Sequence, residues 1–253
     1  MERSLSSKGI IRVEKCKTTL CKQLSKKGYK SQEIEVMRRL KGSRNIIDLQ
    51  RVEEDTEQYS LYMEYCKEGN LQIYYDIHLR NLPKQQVEVA IKPIITECLY
   101  AVRSCHDAKV VHGDLKLENF VFNHVPTNLR LIDFGASRIL TTQEEKVQCL
   151  QWTVEYTAPE SLRSELCLKS DTWAIGVMVY YMLQKRFPFV NNSHSSTYNV
   201  WKAILNDELV YSAKDWDGIS EDCLDFVQGL LVKDVERRMS VYRCFKHSWL
   251  QTQ

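Results

Sequence analysis

No two of the nine cysteines in this 253-residue chain form a Cys-x-x-Cys pair, so neither a zinc site nor a disulfide framework is signalled. A chain of this length needs no staples, and the thiols read as small reduced core residues. Long hydrophobic runs are also missing. The most apolar stretch, 173–183, is about half the length a bilayer span requires and reads as a buried helix. No apolar leader opens the chain, position 2 is not glycine and no prenylation signal closes it, so no membrane partner is expected. Clustered basic charge is absent as well. Thirty-five basic residues face 33 acidic ones, and runs such as Lys26-Lys27 stop at two, which excludes a phosphate-tracking surface and hence a nucleic-acid partner. Repeats and low-complexity linkers do not occur. The expected setting is intracellular, cytoplasmic or nuclear.

What is present is enough apolar residue, 43%, for a sizeable core. The texture changes once, near Glu68 to Asn70. Before it, short β-prone segments at 10–13, 18–21, 46–49 and 59–63 flank one stretch whose Ile34, Met37 and Leu40 recur every three positions. After it, helical patterns dominate at 85–105, 173–183 and 222–231. Pro93 inside the first should kink or break it, since a helix-interior proline costs about 3 kcal/mol. The pattern predicts an α+β fold with a small β-rich lobe joined to a larger helical lobe.

The chemistry concentrates between Val110 and Gly135. Segments 120–122 and 130–132 are matched strands around a turn-rich connection and should pair as a hairpin. Asn119 enters one strand and Asp133 leaves the other, so both belong at one open end. An amide oxygen and a carboxylate there suit a hard cation such as Mg²⁺, which takes few protein ligands and leaves the rest to phosphate and water. Asp114 and Lys116 precede that end, where a carboxylate can accept a hydroxyl proton and an ammonium can neutralise a phosphoryl oxygen.

With those residues in view, the chain resembles the eukaryotic protein kinase family over nearly its whole length. His112-Gly-Asp-Leu-Lys-Leu-Glu-Asn119 is similar to the catalytic loop H-R-D-x-K-x-x-N, Asp133-Phe-Gly135 to D-F-G and Ala158-Pro-Glu160 to A-P-E. The resemblance implies one kinase domain over 1–253, with the small lobe and hinge in 1–66 and the large lobe in 67–253. It implies ATP and Mg²⁺ as cofactors and a protein substrate. It also implies roles: Asp114 as catalytic base, Asn119 and Asp133 on Mg²⁺, and Lys116 on the transferred phosphoryl group. Lys22 stands where the family contacts the α- and β-phosphates, with Glu33 as its helix-borne partner and Glu35 as the alternative. Met63, Glu64 and Cys66 resemble the gatekeeper and adenine hinge. Gly9, Ile11, Leu20, Asn70 and Val121 complete the implied nucleotide contacts. Asp171-Thr-Trp-Ala-Ile-Gly176 and Arg238, the partner of Glu160, are structural by the same likeness. Lys116 with Thr153 favours Ser/Thr over Tyr. The stretch from Trp216 to Leu250 resembles the calcium- and calmodulin-dependent branch, although no EF-hand loop is present and direct calcium control is not expected.

The sequence also departs from that pattern. Ser4 and Ser6 replace two glycines of the phosphate-covering loop, leaving Gly9, and the first strand is expected to be truncated or missing. The turn before Lys22 looks short. Leu20 replaces an alanine, Trp152 a glycine, and Gly113 the arginine that reads a phosphorylated activation loop. A pseudokinase acting as a nucleotide-binding or scaffolding module is the alternative these substitutions raise. A small-molecule phosphotransferase is a third reading, because such enzymes share the His-Gly-Asp loop; the Ala-Pro-Glu segment and Arg238 weigh against it.

Overall fold

The computed structural model describes residues 3–6, 9–13, 18–27, 32–125, 128–148, 153–190 and 196–251, with backbone pairing alone for 3–6 and 9–13. Trp152, residues 7–8 and residues 14–17, where a short turn is expected, lie outside the described residues.

Strands β1 (Arg3–Ser6), β2 (Gly9–Val13) and β3 (Thr19–Ser25) are followed by helix α1 (Glu33–Arg39) and strands β4 (Leu49–Glu54) and β5 (Gln58–Glu64). They form a five-stranded antiparallel sheet in the order β1-β2-β3-β5-β4. The first strand is thus present, four residues long and paired along its length with β2, Ser6 opposite Gly9. Strand β4 departs from the expectation at 46–49. Its sequence, Leu-Gln-Arg-Val-Glu-Glu, is largely exposed, as an edge strand with one open face tolerates, so apolar alternation does not mark it. Ile46 and Ile47 instead leave the sheet and bury in the core.

That departure ties the lobes. Asn45, in the left-handed region at φ 60°, accepts from the Leu131 amide at 2.8 Å through its carbonyl, and Ile47 donates back to the Leu131 carbonyl at 3.1 Å. The Asn45 side chain donates to the Leu129 carbonyl at 2.8 Å and to Glu97. Arg44 lies 3.9 Å over the Tyr100 ring and 3.1 Å from Glu97.

The large lobe begins with α2 (Leu71–Tyr74), a π-helical turn (Tyr75–Leu79) and α3 (Lys84–Asp107). Helix α3 runs through Pro93 without a break. Pro93 and Val89, whose carbonyl loses its usual donor, are both exposed, so water can satisfy that group. Strands β6 (Val110–Val111), β7 (Phe120–Phe122), β8 (Leu129–Leu131) and β9 (Arg138–Ile139) follow, β6 pairing with β9 and β7 with β8. The β7–β8 hairpin is the expected one, shifted by one residue in its second strand.

Helices α4 (Pro159–Leu162), α5 (Leu168–Gln184), α6 (Thr197–Asn206), α7 (Ala213–Trp216), α8 (Glu221–Leu230), α9 (Val241–Cys244) and α10 (Ser248–Gln251) complete the lobe. Serines at 196, 212 and 220 accept from the backbone N–H three residues on and so cap α6, α7 and α8. Helix α5 contains the apolar stretch and is buried on nearly every side. A Cβ at Gly176 would sit 2.8 Å from Leu230 Cβ, which explains why glycine lets α5 and α8 meet there. One apolar cluster runs from Leu24 and Ile34 in the small lobe to Trp249 in the large one. Among the described residues no helix is long and apolar enough to cross a membrane.

Candidate active site

The β7–β8 hairpin sets the floor. Asn119 ends a 3-10 turn (Leu117–Asn119) and accepts from the Ile132 amide at 2.9 Å, which brings it beside Asp133. The Asn119 amide nitrogen donates to the Asp114 carbonyl at 2.7 Å, leaving its oxygen to face elsewhere. Asp133 takes φ 62° and ψ 72°, a left-handed conformation uncommon for a residue other than glycine. Strain of this kind gathers at functional positions, where surrounding contacts hold it.

Lys22, on β3, donates to Glu33 at 2.6 Å and to Asp133 at 3.1 Å. Burial alone would lower its pKa, but the two carboxylates more than reverse this and raise it above the usual lysine value. Glu33 is buried on α1, whereas Glu35 is exposed on the other face, so the structure selects Glu33 of the two candidates as the neighbour.

A second group sits on the loop from His112 to Asn119. Thr153 donates from Oγ1 to Asp114 Oδ1 at 2.9 Å; Lys116 Nζ reaches Asp114 Oδ2 at 3.1 Å and Thr153 Oγ1 at 2.9 Å. The Asp114 carboxylate is thereby held by two donors from two segments.

The loop carrying Asp114 is itself gripped from below. Asp171, 2% exposed on α5, accepts from the His112 amide at 2.9 Å and the Gly113 amide at 3.0 Å. His106 on α3 lies with Nε2 3.1 Å from the same carboxylate. The His112 ring bonds the Ile132 carbonyl at 3.0 Å and meets Phe134 edge-on at 5.1 Å. Ser137 donates to the His112 carbonyl at 3.1 Å.

Gly113 has φ +78°, and a Cβ there would lie 3.1 Å from Leu166 Cδ2 and 3.2 Å from the Ala136 carbonyl oxygen. Leu166 belongs to an apolar cluster with Val111, Leu140 and Leu168, against which Val147 packs. Val147 and Leu166 exchange backbone hydrogen bonds at 2.9 and 2.8 Å, Lys146 pairs with Glu165 at 2.9 Å, and Lys109 donates to the Thr141 carbonyl at 2.8 Å. The stretch from Leu140 to Val147, the activation segment of the kinase resemblance, is therefore docked by apolar and backbone contacts beside Gly113. Farther along, Arg238 grips Glu160 through both nitrogens, at 2.6 and 2.8 Å, with Ser170 adding a 2.7 Å bond.

Residues 7–250 match the family model described as protein kinase domain. The chain belongs to the protein kinase domain family. It is 33% identical over 221 residues to CDPK-related kinase 8 of Arabidopsis thaliana, covering 87% of this chain and 35% of that protein. A calcium/calmodulin-dependent serine/threonine-protein kinase of Oryza sativa subsp. japonica is 32% identical over 221 residues, 87% of this chain and 36% of its own length. Calcium-dependent protein kinase 27 of Arabidopsis thaliana is 30% identical over 248 residues, 93% of this chain and 50% of that protein. The chain spans about a third to a half of the length of these relatives.

In the small lobe, Leu20 faces Met63 across β3 and β5, and Met63 faces Leu49 across β4. Leu20 and Lys22 lie two residues apart on one strand and so share a face. The Glu64 amide donates to Asp48 and the Tyr65 amide to Thr18, while the Glu64 carboxylate makes an ion contact with Arg130 at 3.1 Å and accepts from the Asp48 amide. Cys66 is half-buried, and burial, with Glu64 nearby, pushes its thiol up to about 12. Asn70 caps α2, its oxygen accepting from the Ile73 amide at 2.9 Å, and bridges to Val121 through the backbone. Gly9 opens β2 and Ile11 pairs with Lys22; their side chains lie outside the described residues.

Among the described residues no group of three or more His, Cys, Asp or Glu forms a metal cluster. The Asn119 and Asp133 pair fits a cation that brings phosphate ligands with it, because one protein ligand is an amide and the other a single carboxylate. The sequence marks Asp171 only as part of a structural motif; its hold on the His112 amide and its contact with His106 join residues 59 and 65 positions apart, which no local pattern shows.

Proposed function

We propose that this chain is an ATP- and Mg²⁺-dependent Ser/Thr protein kinase, read as one domain over 1–253 with lobes at 1–66 and 67–253. The observation that carries the reading is Lys22, a buried ammonium joined at once to Glu33 on α1 and Asp133 beyond β8. That contact joins the two lobes and sets a phosphate-binding cation beside the Asp133 carboxylate.

In this reading Lys22 holds the α- and β-phosphates of ATP while Asn119 and Asp133 hold Mg²⁺. The bound metal supplies charge neutralisation across the phosphates. Backbone groups between Glu64 and Cys66 would hold adenine, with Leu20, Met63 and Val121 as apolar neighbours and Gly9 and Ile11 on the hairpin of β1 and β2. Asp114, held by Lys116 and Thr153, accepts the proton of a substrate hydroxyl as that oxygen turns nucleophilic. Lys116, within 3.1 Å of Asp114, is close enough to balance charge gathering on the transferred group. The substrate is a protein Ser or Thr hydroxyl. Free thiols at seven described positions, six of them with a pKa raised by burial, suit an intracellular setting.

Radiolabelled phosphate transfer to generic protein substrates tests the reading, with Asp114→Asn and Asp133→Ala as controls. Wild type should exceed each by about a hundredfold or more. Equal, low incorporation by all three would hand the chain to the pseudokinase alternative.

A further inference from the structure

A cavity of about 360 Å³ lies between the end of α3, the activation segment, the start of α5 and the segment leading into α9. Its size is within the range of small-molecule sites, and no residue of the proposed active site lines it. The floor is made by His106 and by Thr172 near the start of α5, with Leu168 and Val241 as apolar walls. All four are buried. The mouth is formed by Gln143, Glu144 and Lys146 of the activation segment facing Glu236 and Tyr242.

The formal charges lining this cavity cancel, Lys146 and Lys169 against Glu144 and Glu236. Lys146 is paired with Glu165, and Lys169 donates to the Val235 and Glu236 carbonyls at 2.8 and 3.0 Å. An anion would have to displace those contacts and would meet Glu144 and Glu236, and a cation would meet both lysines. An uncharged guest with an apolar body and one or two hydrogen-bonding groups matches the walls and the polar mouth without either cost.

Two connections lead from the cavity to the chemistry. His106 touches Asp171, which in turn holds the His112 and Gly113 amides. Leu168 belongs to the apolar cluster that docks the activation segment through Leu166 and Val147. We propose that this cavity binds a small uncharged organic molecule, and that its occupancy adjusts the catalytic loop through the contact of His106 with Asp171. The effect on phosphate transfer rests on the kinase reading; the binding site does not.

Indole and benzimidazole are suitable probes, tested on the full chain by saturation-transfer NMR with and without saturating Mg²⁺·ATP. Binding should persist in the presence of nucleotide and weaken about tenfold or more in Ser240→Trp and in Gln143→Trp, both of which fill the cavity. The Gly113 amide resonance should move on binding, and the transfer rate should change by about fivefold or more, the lower end of ordinary coupling between sites. No binding by either probe, displacement by Mg²⁺·ATP, or equal binding by wild type and both variants would overturn the site. Binding without movement of the Gly113 amide would overturn the coupling. A chain that binds the probe and moves that amide, yet transfers no phosphate, would support the site and count against the kinase reading.

Discussion

Lys22 shows how one side chain carries information from three elements. Its ammonium is raised in pKa by Glu33 and Asp133 against the opposing pull of burial, so folding gains from its charge. A lysine raised in the folded state contributes in full below its unfolded value, and the contribution fades as pH climbs through the folded one. The window of loss therefore opens only above 10.5. The difference in Tm between wild type and Lys22→Met should stay constant from about pH 6 to about pH 9 and narrow only in strong alkali, as calorimetry would record. Over the same range Lys22→Met should reduce transfer about a hundredfold or more with no new pH dependence. At this scale the sequence was informative where chemistry demands a residue type at a fixed interval: Asp114, Lys116, Asn119 and Asp133 stand on one short stretch. It was silent on the left-handed backbone of Asp133 and on the grip of Asp171, because both arise from contacts far away in the chain.

Among the elements, those with strong periodicity were legible. Helix α5 announced itself by continuous apolar residues, and β7 and β8 by matching lengths around turn-forming residues. Strand β4 did not, since an exposed edge needs no alternation, and the apolar pair just before it serves the other lobe. The activation segment was partly legible, through Gly113. With no arginine beside Asp114, and with Leu166 filling the space a side chain would take, apolar contacts dock the segment. Thr141→Ala and Thr142→Ala, singly or together, should keep at least about half of wild-type transfer, whereas Leu166→Ala should cost about 2–5 kcal/mol of stability and reduce transfer with it. Loss of transfer in the alanine pair would show that a phosphate acts there after all. Urea unfolding followed beside the transfer assay separates the two effects.

For the molecule as a whole, the continuous core and the buried ion pair of Arg238 with Glu160 make the large lobe one cooperative body. Removing the cation alone leaves Glu160 buried and uncompensated, a change that costs about 3–5 kcal/mol. Arg238→Met should therefore lower Tm by about 10 °C, while Lys146→Met, which opens an exposed pair, should shift it by no more than about 2 °C. Scanning calorimetry checks both, and a similar small shift for each would mean that Glu160 finds another partner.

The strap at Asn45 has a mechanical meaning. Because residues 45–47 are bonded to Leu131 in the hairpin that bears Asn119 and Asp133, they travel with the large lobe although the chain around them belongs to the small one. The fulcrum for any swing of the sheet then lies between Ile47 and Leu49. Lys22 rides on the moving arm and Asp133 stays with the base, so their 3.1 Å separation is the gauge on which opening and closing of the cleft would be read.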